Sequence, residues 1–97
     1  MVDIVKVAKA LSDPIRYKIL LSLLQEHSDL SLCCGGVCNC DIMERFGLIQ
    51  SRVSYHMKEL VESDLVVEEQ RGKWKYYSVN LETLKDYIKM LGEEFRL

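Results

Sequence analysis

Five stretches of the chain place apolar residues at helical spacing, which predicts five amphipathic helices. The first covers residues 3–11 and the second residues 14–25. Between them Asp13 can cap the second helix, and Pro14 suits its first position, where no backbone donor is needed. The inward face of the second helix is predicted core and comprises Ile15, Ile19, Leu20, Leu23 and Leu24.

Two short helices are predicted in the middle of the chain. The third begins near Cys38 to Cys40 and ends at Phe46, because Gly47 suits the left-handed residue that often follows a helix. The fourth begins near Gln50 or Ser51. Two short helices joined by residues 47–49 match the layout of a helix-turn-helix. The inward face of the fourth helix is predicted to comprise Val53, Met57, Leu60 and Val61.

Residues 65–80 predict a β-hairpin with its turn at residues 70–73, and we expect Trp74, Tyr76 and Tyr77 to pack in the strand core. Asn80 can cap the last helix. The apolar stripe of that helix has few partners left in so small a fold, so we expect it to pair across a homodimer together with the first helix. The stripe comprises Leu81, Leu84, Ile88, Leu91 and Phe95.

The expected fold is therefore mainly α with a β-hairpin wing, a single winged helix-turn-helix domain over residues 1–97. A hydrophobic content of 48% excludes a disordered tail. The formal charge of −2 argues only weakly against nucleic acid, because the charges are separated. Residues 50–58 carry two basic residues and no acid, and the hairpin turn adds Arg71, Lys73 and Lys75.

Four cysteines fall within eight residues, at Cys33, Cys34, Cys38 and Cys40. Thiols this close together suit a soft-ion site or redox chemistry better than a disulfide framework. A structural zinc site, a three-thiolate arsenic or antimony site and a local disulfide all fit the residue types, although the spacing is not that of the usual zinc knuckles. Without a signal-peptide pattern or about 18 apolar residues in a row, the chain is expected to be cytoplasmic, away from the membrane.

Three segments resemble the ArsR family of arsenic- and metal-responsive winged-helix repressors: ALSDPIRYKIL (10–20), VCNCDIMERFGLIQSRVSYHMKEL (37–60) and LVVEEQRGKWKYYSVN (65–80). Some family members carry L-C-V-C-D-L at the start of the third helix, and the matching residues here are 37–42. The resemblance implies Cys38 and Cys40 as metal ligands. Some members have a third ligand one turn further along the helix, where this chain has only Met43 and Glu44, so a third ligand here would be Cys33 or Cys34. The resemblance also implies that the zinc site of other members is absent, because no histidine follows His56.

These observations predict a homodimeric repressor that binds an inverted-repeat operator and releases it when arsenite or antimonite binds the thiolates. The alternatives are a repressor responsive to cadmium, lead, zinc or thiol oxidation, and a thiol metal carrier that does not bind DNA. An enzyme is not expected, since no nucleophile constellation or phosphate-binding glycine loop is present. His56 is expected to pack rather than to bind an ion.

The side chains expected to reach base edges or phosphates are Gln50, Ser51, Arg52, Ser54 and Tyr55, whereas Lys58, Arg71, Lys73 and Lys75 are expected to hold phosphates. Residues two apart in a helix point about 200° apart. Cys38 and Cys40 therefore cannot bind one ion while both are helical, and binding must use a frayed helix start or unwind one.

Overall fold

The computed structural model describes residues 2–28 and 36–97, without the side chains of residues 26–28. Within these ranges it contains the five predicted helices and the predicted hairpin, with one further strand. The elements in chain order are α1 (Ile4–Leu11), α2 (Pro14–Ser28), β1 (Val37–Cys38), α3 (Asn39–Phe46), α4 (Gln50–Glu62), β2 (Val66–Arg71), β3 (Trp74–Val79) and α5 (Leu81–Glu94).

Local capping explains where the helices begin and end. Oδ1 of Asp13 accepts hydrogen bonds from the backbone N–H groups of Ile15 (2.8 Å) and Arg16 (3.3 Å), as expected for the cap of α2. Asn80 caps α5 in the same way, through the N–H of Thr83. Gly47 ends α3 with φ of 62°, a left-handed conformation that glycine adopts without strain.

A short third strand, β1, was not predicted. It pairs antiparallel with β3, which also pairs with β2, so the sheet order is β1-β3-β2. The chain enters β1 at Gly36, where φ is 118° and a Cβ would lie 3.2 Å from the carbonyl oxygen of Tyr77. Glycine permits this close approach, which brings Cys38 into the same sheet as the hairpin.

The core lies between the helices and one face of the sheet. Its most deeply buried side chains are Val7, Ile19, Ile42, Val53, Met57, Leu60 and Leu65. The predicted inward faces of α2 and α4 are confirmed, because Ile15, Leu24 and Val61 also pack against this cluster. The expectation for the hairpin aromatics is confirmed only for Tyr77, which is buried in the core cluster. Tyr76 is partly buried outside that cluster, and Trp74 is 44% exposed at the turn end of β3.

The apolar stripe of α5 has more intrachain contact than the sequence indicated. Leu81 and Leu84 pack against the core cluster, and α5 also contacts α1. Ile88 and Phe95 remain exposed, at 62% and 68%. The stripe therefore divides into a half that completes the core and a half that faces outward.

Candidate thiol site and nucleic-acid interface

Two of the predicted ligand residues, Cys38 and Cys40, meet at the start of α3. Cys38 is the N-terminal capping residue of this helix, with an extended backbone (φ −65°, ψ 144°), and its Sγ accepts a hydrogen bond from the N–H of Cys40 at 3.3 Å. Because Cys38 is extended rather than helical, the two side chains converge. Their sulfur atoms are joined as a disulfide, with the Cα atoms 5.2 Å apart.

This geometry answers the question that helix periodicity raised. The helix start is already open at Cys38, so both sulfurs, once the disulfide is reduced to two thiols, can face one ion without unwinding a helical turn. Cys38 is buried and Cys40 is exposed, so the pair opens to solvent on the Cys40 side. Soft donors this close together fit a thiophilic ion.

A third ligand is not supplied by the part of the chain that the structure describes. Across residues 2–28 and 36–97, no three His, Cys, Asp or Glu side chains come together as a metal site. Cys33 and Cys34, the predicted sources of the third thiolate, lie outside the described residues.

The helix α4 presents all of its predicted DNA-facing side chains outward. Gln50, Ser51, Arg52, Ser54, Tyr55 and Lys58 are exposed, while the opposite face packs into the core and against α3. Among the described residues no side chain caps the N-terminus of α4, and its first turn carries no acid. Its first N–H groups and the positive end of the helix dipole are therefore open to an anion.

A buried arginine, which the sequence analysis missed, supports α4 from behind. Arg16 is only 7% exposed, and its Nε donates to the carbonyl oxygen of Ala10 at 2.7 Å. Its Nη1 lies 3.3 Å from Nδ1 of His56 and 3.9 Å from a carboxylate oxygen of Asp13. The guanidinium also lies 5.9 Å from the ring centre of Tyr55, within cation–π range. Arg16 thus ties the α1–α2 corner to the helix that faces outward.

The contact with Arg16 defines the protonation of His56. A guanidinium only donates, so Nδ1 must accept and the proton lies on Nε2, which is buried and has no partner among the described residues. Burial lowers the pKa of His56, and Arg16 and Arg52 lower it further, whereas Asp13 opposes them. His56 is therefore a neutral packing residue, as expected.

The carboxyl of Asp13 is held ionised by its surroundings. Desolvation alone would raise its pKa, but the backbone N–H donors of Arg16 and Ile15, with the nearby positive charge, outweigh it and lower the pKa. Asp13 thus caps α2 as a carboxylate and faces Arg16.

The hairpin turn bears the second group of cations. Arg71 pairs with Glu69 at 2.9 Å, with its guanidinium 4.5 Å from the ring centre of Tyr76. Nζ of Lys75 lies 3.6 Å from Glu68, and Lys73 is exposed beside Gly72 at the tip. A cleft of about 340 Å³ separates α4 from the hairpin, and its lining includes Lys58 and Lys75. Ser54 and Lys58 of α4 and Lys75 of the hairpin therefore border the same cleft, together with the acids Glu62 and Glu68.

A helix-turn-helix followed by a β-hairpin wing defines a winged helix-turn-helix protein. The family described as "Bacterial regulatory protein, arsR family" matches residues 13–67. The chain belongs to the ArsR family and is therefore a DNA-binding transcriptional regulator rather than an enzyme. None of the helices in the described ranges combines the length and the hydropathy that a membrane span requires.

Relatives and solved structures agree with this assignment. The chain is 43% identical to the arsenical resistance operon repressor of Staphylococcus xylosus, over 84% of this chain and 69% of that protein. It is 37% identical to the protein of the same name from Bacillus subtilis (strain 168), over 89% and 71%. A homodimeric winged helix-turn-helix DNA-binding domain from Mycobacterium bovis has the same fold, with a TM-score of 0.69, 22% identity and coverage of 93% and 78%.

Proposed function

We propose that the chain is one winged helix-turn-helix domain and acts in the cytoplasm as a homodimeric repressor. It binds an inverted-repeat operator and releases it when arsenite or antimonite binds its thiolates. The observation that carries this proposal is the convergence of Cys38 and Cys40 at the first turn of α3, the helix against which α4 packs. The names of the two bacterial relatives, both repressors of arsenical resistance operons, support an arsenic-related inducer.

The exposed face of α4 is the proposed reading surface. Its N-terminal residues, with Arg52 and Tyr55 foremost, reach base edges, and its open N-terminus receives a phosphate. Lys58 and the wing residues Arg71, Lys73 and Lys75 hold the backbone on either side of the cleft. Two of the wing cations have acidic partners in the free protein, so DNA phosphates must displace Glu68 and Glu69 from them.

The inducer site is proposed at Cys38 and Cys40, with Cys33 or Cys34 as the third ligand. Cadmium, lead and zinc are alternative inducers, since thiolates bind each of them. Only a difference in affinity between the DNA-binding and released states shifts the protein from one to the other. A nearly complete change needs about 5.5 kcal/mol. The thiols lie where the sheet meets α3, so rearrangement there can reach both α4 and the wing.

The dimer is proposed to form through α1 and α5. These helices contact each other and leave apolar side chains facing outward, with Val5 77% and Ile88 62% exposed. A second copy that covers this surface doubles the DNA-reading helices. It also relates them by a twofold axis, which an inverted repeat requires.

Paired DNA-binding variants and an inducer panel test the proposal. Arg52→Ala should weaken operator binding by roughly 1–3 kcal/mol and relax its sequence preference, whereas Lys73→Ala should weaken all sequences about equally and flatten the salt dependence. Arsenite, antimonite, cadmium, lead, zinc and peroxide are then titrated into the wild-type complex. Unchanged binding in both variants would place the DNA elsewhere. If the protein shows no salt-dependent binding to DNA, the thiol carrier that does not bind DNA would be favoured.

A thiol-redox repressor is the second candidate, and the joined sulfurs of Cys38 and Cys40 favour it. In that reaction peroxide takes two electrons and two protons from the thiols, giving one disulfide and two waters. The Cα separation of 5.2 Å lies within the normal range for a disulfide. Release by peroxide, reversed by dithiothreitol, with no response to arsenite would establish this candidate over the first.

A further inference from the structure

The residue between the two thiols, Asn39, has a buried polar side chain that is only 8% exposed. Its Oδ1 accepts a hydrogen bond from the backbone N–H of Lys75 at 3.3 Å, and the sulfur of Cys38 lies 3.6 Å from the same oxygen. Buried polar groups keep their hydrogen-bond partners because an unpaired one is costly. Asn39 is therefore held between the thiol site and β3.

This contact extends the β1–β3 ladder by one position. The ladder pairs Val37 with Tyr77 and Cys38 with Tyr76, so the next pair in register is Asn39 with Lys75. The backbone leaves the sheet at Asn39, where α3 begins. The side-chain oxygen takes the place that a strand carbonyl would have occupied. A valine, as in the C-V-C form of the motif, cannot accept this hydrogen bond.

We infer that Asn39 is the positioning residue that couples ion binding at Cys38 and Cys40 to the position of the β-hairpin wing. The inference rests on the proposed function and names its regulatory contact. Asn39 connects the Cα atoms of Cys38 and Cys40, 5.2 Å apart. When both sulfurs hold one ion, a change in this spacing turns the Cα–Cβ bond of Asn39 and breaks its contact with Lys75. The strand β3, which bears the wing cation Lys75, then loses this hydrogen bond to the first residue of α3, and DNA contacts weaken.

Backbone amide exchange in reduced, DNA-free protein tests the contact directly. Asn39→Val removes the acceptor, whereas Asn39→Asp keeps an oxygen at the same position. The Lys75 amide should exchange at least roughly tenfold faster in Asn39→Val and stay protected in Asn39→Asp. In the wild type, arsenite or cadmium(II), each added separately, should produce the same loss of protection. The Val67–Ser78 pair of the β2–β3 ladder is the internal control and should not change.

Two further readouts connect the contact to regulation. Trp74, the single tryptophan, adjoins Lys75, so its emission should respond to the ion in the wild type and not in Asn39→Val. Thiolate absorbance should show that Asn39→Val still binds the ion. The ratio of DNA affinities without and with the ion should nevertheless fall at least roughly tenfold relative to the wild type.

Opposite results would overturn the inference. An exchange rate of the Lys75 amide that neither ion changes in the wild type would show that the contact does not respond to ion binding. Equal protection of this amide in Asn39→Val and the wild type would show that the Asn39 side chain does not protect it. Full ion-induced release in Asn39→Val would show that the contact carries no signal. If the Lys75 amide responds but no ion releases DNA from the wild type, the proposed function fails instead and the Asn39 contact stands.

Discussion

Replacing Arg16 by methionine should destabilise the fold strongly, because the arginine satisfies buried acceptors on two different elements. Methionine keeps the apolar stem but removes the donors to the Ala10 carbonyl and to Nδ1 of His56, at 2.7 and 3.3 Å. A buried acceptor left without a partner costs about 1–3 kcal/mol. Two such losses give an expected decrease in the free energy of unfolding of about 2–6 kcal/mol.

Urea unfolding followed by circular dichroism measures this decrease. With a slope of about 2 kcal/mol per molar urea, the midpoint should fall by roughly 1–3 M at unchanged slope. Arg45→Met is the matched control: Arg45 is exposed, donates to Ser22 at 2.9 Å, and should lose less than about 1 kcal/mol. If the free energy of unfolding of Arg16→Met were within about 0.5 kcal/mol of the wild-type value, the contacts of Arg16 would not be what holds α4 in place.

Three further changes probe the turn, the buried histidine and the outer helices. Gly47→Ala should lower the free energy of unfolding by about 1–2 kcal/mol through backbone strain alone, since φ is 62° and a Cβ would meet no neighbour within 4 Å. Thermal unfolding measures this loss, which should be smaller in Gly47→Asn. Burial lowers the folded pKa of His56 below its unfolded value near 6.5, so neutral His56 stabilises the fold above about pH 6.5, and this contribution is lost as the pH falls. The decrease in the free energy of unfolding from about pH 7 to 5 should therefore be smaller in His56→Gln than in the wild type. An identical pH profile in the two proteins would contradict this. In sedimentation experiments Ile88→Glu should be monomeric, whereas Lys89→Glu, which also changes an exposed residue of α5, should remain dimeric. A wild type that is monomeric at micromolar concentration would contradict the proposed dimer.

Much of the fold could be predicted because it is encoded locally. Helix boundaries followed from caps such as Asp13 and Asn80, and the α3–α4 turn from Gly47, each acting within a few residues along the chain. The winged arrangement followed from the order of these elements and from the resemblance to a known family.

The parts that could not be predicted depend on contacts between distant segments. β1 has only two residues, and its pairing with β3 across nearly forty positions leaves no periodic signal. That pairing makes Cys38 extended and places the Asn39 oxygen beside Lys75. Burial of Arg16 did leave a trace, because Arg16, Leu20 and Leu23 share one helical face, and an arginine on an apolar stripe indicates a buried network.

Operator release by arsenite in the presence and absence of the two thiols tests the central claim most directly. A DNA sequence is first selected from a random pool by binding to the wild-type protein, and it is then labelled. Its fluorescence anisotropy is measured in reducing buffer with the wild type and with Cys38→Ser/Cys40→Ser. Both proteins should bind the DNA with equal affinity, because neither thiol lies on the exposed face of α4. Arsenite should release the DNA from the wild type and leave the variant bound. Normal arsenite-induced release from the double variant would contradict the account.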